Sequence, residues 1–172
     1  MRFDELVPPA RDFVSSVKSG NLSGRSSDHC FGRFFFTMYP KMLDEHAGTV
    51  YLAPIADSTG QPVEAGKTYK VRVPKDVPAR QFWSLTVYER ATWAFINNPS
   101  DRAGLGSFNM DQMQKNADGS VDVYIGPKAP VGLQSNWIPT LGKEPYVWLR
   151  LYGPEEAFWN KSFKMPDIEL VK

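Results

Sequence analysis

The chain has 172 residues, 42% of them hydrophobic and 23% charged, and its twenty basic and nineteen acidic side chains leave a formal charge of +1. Such a length and balance describe one ordinary globular domain, large enough to bury roughly 70% of its unfolded surface. They carry no basic footprint for nucleic acid, no apolar run approaching the roughly 18 residues of a membrane helix and, with Cys30 alone, no intrachain disulfide.

The N-terminal stretch MRFDELVPPARDF has acids and prolines where an export signal needs an apolar run, so a soluble, cytoplasmic chain is expected. FDELVPPARDFVSSVKSG reads as a helix of two or three turns that starts near Pro8 or Pro9 and closes at Gly20. After the polar loop NLSGRSSD comes HCFGRFFFTMYPKMLDEHAG, an aromatic-rich helical candidate interrupted by Gly32 and Pro40. Residues 1–48 are therefore read as a helical extension and residues 49–172 as a separate β-rich domain.

From Thr49 the pattern has period two. TVYLAPIA, KTYKVRVP, PARQFWSLTVYE, VDVYIGP and YVWLRLYGP each read as strands, and TWAFIN as a shorter one. NNPSDRAGLGSF and KAPVGLQSNWIPTLGKEP read as loops, and Gly119 supplies the positive φ that a tight hairpin leading into VDVYIGP requires. Pro154 opens a short C-terminal helix, with Glu155 and Glu156 at its positive end. Turn-bounded strands without a βαβ rhythm point to an antiparallel β-sandwich.

Three blocks taken in order, GKTYKVRVPKDVPARQFWSLTVYE, NADGSVDVYIGPKAPVGLQSNWIPT and LRLYGPEEAFWNKSF, followed by PDIE, resemble the bacterial domain of unknown function numbered 1214. The resemblance runs from about Thr49 to Glu169. It implies a jelly-roll-like sandwich and no established activity. It also implies that the domain usually follows a partner domain numbered 1254, for which the residues before Thr49 are too few. Surface that such a partner would cover is then capped by the N-terminal helices, paired with another chain, or left open.

Every strong strand has two stripes. Val147, Leu149 and Leu151, with Trp83, Leu85 and Val87 and with Val121, Val123 and Ile125, form the core set. The reverse set comprises Tyr146, Trp148, Arg150 and Tyr152, then Phe82, Ser84, Thr86 and Tyr88, then Asp122 and Tyr124. Rings beside a guanidinium, hydroxyls and a carboxylate suit a binding face, with stacking area and polar groups that fix orientation. The bland alternative is the same face packed under the N-terminal helices or a second copy of the chain.

The expected ligand-binding residues are Tyr88, Tyr124, Trp148, Arg150 and Tyr152 on this face, with Trp137 and Arg102 from loops. Trp137, before Ile138-Pro139, either closes a pocket or plugs the end of the sandwich. Arg102 either holds an anion or pairs with Asp101. Lys128 stands similarly.

Catalytic constellations are missing from the sequence. Asp28, His29 and Cys30 are consecutive, which suits neither a zinc site nor, with His46, a nucleophilic pair better than a small buried cysteine. There is no nucleophile elbow, P-loop or dinucleotide fingerprint, and no cofactor or metal is expected. The leading reading is a module binding a small organic or sugar-like ligand, or a protein partner, through the aromatic-polar face. One alternative is a hydrolase- or lyase-type enzyme using Glu89, Asp122, Tyr124, Arg150 and Tyr152. The other is a structural homo-oligomer.

Overall fold

The computed structural model describes residues 48–54 and 56–171. The helices expected before Gly48, with His29, Cys30 and His46, lie outside these residues. The strands are β1 (Thr49–Leu52), β2 (Tyr69–Val73), β3 (Ala79–Glu89), β4 (Gly104–Gly106), β5 (Val121–Gly126), β6 (Trp137–Pro139), β7 (Pro145–Pro154) and β8 (Glu169–Leu170). A four-residue helix α1 (Glu156–Trp159) follows β7, with Glu155 as its N-cap. Among the described residues no helix is long and apolar enough to cross a membrane.

The strands form two four-stranded sheets, ordered β1-β7-β3-β4 and β6-β5-β2-β8. All pairs but one are antiparallel. The exception is β5–β6, where Ile125 lies beside Ile138 in a parallel pair, so the expectation of a purely antiparallel sandwich is corrected. The long central partners β3 and β7 align Leu85 with Leu149 and Ser84 with Arg150. Their high content of aromatic and β-branched residues favours a pleated, half-buried surface.

The two sheets share one core. Val50, Trp83, Leu85, Val87, Val147, Leu149 and Leu151 from the first meet Val71, Val73, Val121, Val123, Ile125 and Ile138 from the second, all buried. Tyr69 is buried too, and its hydroxyl accepts a 2.8 Å hydrogen bond from the Glu64 amide. Burial alternates along β2, along Val121–Ile125 of β5 and along most of β7, as a period-two pattern requires. Prolines sit at strand ends or on the edge strand β6, where a missing N–H breaks no ladder.

Other elements depart from expectation. TWAFIN is not a strand: only an isolated bridge joins Tyr88 to Phe95. Conversely, the stretches read as loops contain β4 and β6. Gly119 has φ +84° and its turn is closed by hydrogen bonds from Gly119 N to Asn116 O (2.9 Å) and from Asn116 N to Ser120 O (2.8 Å). This turn precedes β5 without joining it to a neighbouring strand in a hairpin.

Candidate functional site

The two sheets turn opposite outer faces away from the common core, and these faces differ in kind. On the second sheet, Arg72 grips Asp122 with Nε–Oδ1 2.8 Å and Nη2–Oδ2 3.1 Å, and Lys70 meets Glu169 at 2.7 Å. The Arg72 guanidinium holds the Asp122 carboxyl below its ordinary range against the opposing effect of burial. That face neutralises its own charges and reads as a solvated surface.

The outer face of the first sheet is paved with rings. Tyr51, Trp148, Tyr146 and Trp93 follow one another edge to face at centroid separations of 5.9, 5.2 and 4.9 Å. Tyr152 stacks on Phe82 at 4.0 Å, and Phe82 meets Phe108 at 6.2 Å. Tyr88 stacks on Phe95 at 4.7 Å. Each such pair is worth about 1 kcal/mol beyond simple burial. Phe95 and Phe108 nonetheless remain 56% and 69% exposed.

Arg150 stands in the middle of this paving, one strand from Tyr51 on β1 and opposite Ser84 on β3. Its guanidinium carbon lies 5.4 Å from the Tyr51 ring centroid and 5.7 Å from that of Tyr88, both cation–π distances. Arg150 Nη2 donates to the Tyr88 hydroxyl. Its Nε is buried without a hydrogen-bond partner, and among the described residues Arg150 forms no ion pair. Leaving a buried donor unmatched costs about 1–3 kcal/mol, so this arginine is held in place by its aromatic neighbours.

Beside it runs an open groove of about 490 Å³, towards the β4 edge of the sheet. Its polar floor is Ser84, Thr86 and Arg150, and its apolar walls are Phe82, Phe95 and Phe108. The Ser84 and Thr86 hydroxyls lie 3.4 Å apart. Gly104 and Gly106 keep β4 tight against β3. A Cβ at either would fall 2.6 Å from a β3 carbonyl oxygen, that of Leu85 or Trp83 respectively. Asn98 shapes the loop entering β4: its Oδ1 accepts from the Ser100 and Arg102 amides, both at 3.2 Å, and its Nδ2 donates to the Ile96 and Arg102 carbonyls at 2.9 and 3.0 Å.

Of the residues expected at a ligand site, Tyr88, Trp148, Arg150 and Tyr152 share this outer face, and Arg150 also lines the groove. Tyr88 holds Arg150 and Phe95, Tyr152 stacks on Phe82, and Trp148 packs on Tyr51, which in turn lies against Arg150. Tyr124 does not join them: β5 belongs to the second sheet, where Tyr124 lies beside Lys70 and Trp137. Trp137 donates its indole N–H to Gly126 O at 3.0 Å. Arg102 lines the groove, while its Nη1 donates to the carbonyls of Gln134 (2.7 Å) and Trp137 (3.2 Å).

The acid–base set weighed for an enzyme is dispersed. Asp122 and Tyr124 are on the second sheet, and Glu89, at the end of β3, is bound by Lys143 at 3.0 Å and by the Thr92 hydroxyl at 2.9 Å. Those contacts, Lys143 first, lower the Glu89 pKa and make it a weaker base. Among the described residues no group of three or more His, Cys, Asp or Glu is placed to hold a metal ion.

Tyr51, Phe95 and Phe108 were not anticipated. Tyr51 belongs to a four-residue edge strand, and the two phenylalanines lie outside named strands, where no periodicity assigns a face.

The family described as a protein of unknown function (DUF1214) matches residues 48–156, well over half the chain. No curated protein matches. Among solved structures, the VPA0106 protein from Vibrio parahaemolyticus is 26% identical, with a TM-score of 0.62 over 73% of this chain and 31% of its own. An uncharacterised protein from Burkholderia cenocepacia is 17% identical, with a TM-score of 0.45 over 72% of this chain and 29% of its own. The chain thus spans about a third of the length of the solved proteins that it matches.

Proposed function

The chain belongs to the DUF1214 family of proteins of unknown function, and from that premise we propose that it is a binding module for a small organic molecule. The ligand occupies the groove beside Arg150. One observation carries the reading: the Arg150 guanidinium, which forms no ion pair among the described residues, two hydroxyls and three rings converge on one open groove. The opposite sheet pairs off its charges instead. A volume of about 490 Å³ falls within the roughly 300–1,000 Å³ of small-molecule sites. On this reading the sandwich is of the jelly-roll kind, an architecture that includes lectin domains.

The test is a fragment screen by saturation-transfer NMR on the intact chain, repeated on Phe95→Ala and Phe108→Ala. Both rings are largely exposed, so truncation leaves the core intact. Losing one ring contact of about 1 kcal/mol weakens groove ligands roughly five-fold. Absence of hits, or hits indifferent to both substitutions, overturns the reading.

A second reading is a protein partner. It is supported by the exposed rings of Phe95 and Phe108 and by the length of VPA0106, more than twice that of this chain. A second copy of the chain is the simplest such partner. Light scattering at micromolar concentration separates the cases: a dimer that Phe108→Ala dissociates supports docking, and a monomer removes the self-association version.

A further inference from the structure

Resting on the reading of the groove as a small-molecule site, we propose that its ligand is an aromatic carboxylate. Arg102, Arg150 and Asp101 are the ionisable residues that line the groove, so its formal charge is +1. Arg102 already donates to the carbonyls of Gln134 and Trp137, which fix its position without neutralising it. Arg150 has aromatic neighbours and a phenol on its guanidinium, and no carboxylate among the described residues. A monoanion supplies the missing counter-charge, whereas a phosphate dianion exceeds it and a cation is repelled.

Hydrogen bonding agrees with charge. Ser84 stands opposite Arg150 across the β3–β7 pair, and Thr86 is the next residue on the same face of β3. Their hydroxyls are 3.4 Å apart and on the groove floor. Guanidinium and hydroxyls together make a floor rich in donors, matching a group with two acceptor oxygens and no proton of its own.

Shape selects the remainder of the ligand. Phe82 is fixed between Tyr152 and Phe108, and Phe95 is stacked on Tyr88. These walls offer ring faces and edges beside the donor floor, so a flat apolar body attached directly to the carboxylate gains stacking while the oxygens reach Arg150. A group as small as acetate gains only the second part.

The experiment is isothermal titration of the intact chain at low salt with benzoate, benzamide and acetate. Benzamide keeps the ring and removes the charge, and acetate keeps the charge and removes the ring. Benzoate is expected to bind at least ten-fold tighter than either, with an affinity that falls as salt is added. Arg150→Gln is expected to bring benzoate down to the level of benzamide and leave benzamide unchanged, with folding checked by circular dichroism. Should that variant fail to fold, the wild-type ratio of benzoate to benzamide decides, together with a several-fold loss for benzoate alone in Ser84→Ala. Equal binding of benzamide and benzoate overturns the carboxylate assignment and leaves the groove reading standing. If none of the three binds, the assignment falls, and the fragment screen judges the groove by itself.

Discussion

Asn136 holds more of the second sheet together than its position beside Trp137 suggests. It is 1% exposed, and its side-chain amide is fully engaged. Oδ1 accepts from the Gln114 amide (2.8 Å) and the Ser135 hydroxyl (2.9 Å), and Nδ2 donates to the carbonyls of Gln114 (2.8 Å) and Asp122 (3.0 Å). One side chain thereby ties two loop segments to β5, and thus sets where β6 can start. Asn136→Ala removes four hydrogen bonds and leaves part-buried backbone groups of Gln114 and Asp122 without this partner, at a cost of about 3 kcal/mol. Urea denaturation should show that loss; a change below 1 kcal/mol would mean that water replaces the amide. An asparagine in a loop gives no sequence signal for this role, because the partners are 14 and 22 residues away.

At the scale of elements, period two decided which residues go inside. The alternation in KTYKVRVP, FWSLTV, VDVYI and YVWLRLY places Leu149 and Leu151 in the core and leaves Trp148 and Arg150 on the outer face, as the stripes require. The pattern fails for β4, β6 and β8, which have three, three and two residues. So short a segment cannot display a period, and its pairing is imposed by the neighbouring strand. In β4 the enabling residues are glycines, and a side chain at Gly104 must push the edge strand away from Leu85 O. Gly104→Ala is therefore expected to destabilise by about 2 kcal/mol and to disturb the groove, so fragment binding should weaken with it. Unchanged stability in a thermal melt would show that β4 shifts freely.

For the whole molecule, the charged pairs of the second sheet predict acid sensitivity. The Asp122 carboxyl is held low chiefly by its hydrogen bonds to Arg72. A carboxyl depressed on folding contributes stability that is complete above its unfolded value, about 3.9, and is lost as pH falls through the lower folded value. Thermal melts should therefore show Asp122→Asn less stable than the parent at pH 7, and the difference should close as the pH falls below about 4 and through the lowered folded value. A gap that does not narrow at all as the pH falls below about 4 would assign the effect to packing. Asp57 and Asp118, lowered chiefly by the hydroxyls of Thr59 and Ser120, add to the same limb in both proteins.

Composition and alternation alone establish a β-rich domain, its core stripes, and a ring-and-arginine stripe facing away from that core. They do so because burial of every second side chain is a local consequence of the extended backbone. Which strands share a sheet is another matter. Backbone hydrogen bonds pair strands with little regard to side-chain chemistry, so the sequence could not show that β5 leaves β3 and β7, taking Tyr124 away from Trp148 and Arg150. Nor could it show that Phe95 and Phe108 arrive from irregular segments to wall the groove. Only the closed sandwich, with its two unlike outer faces, made that selection.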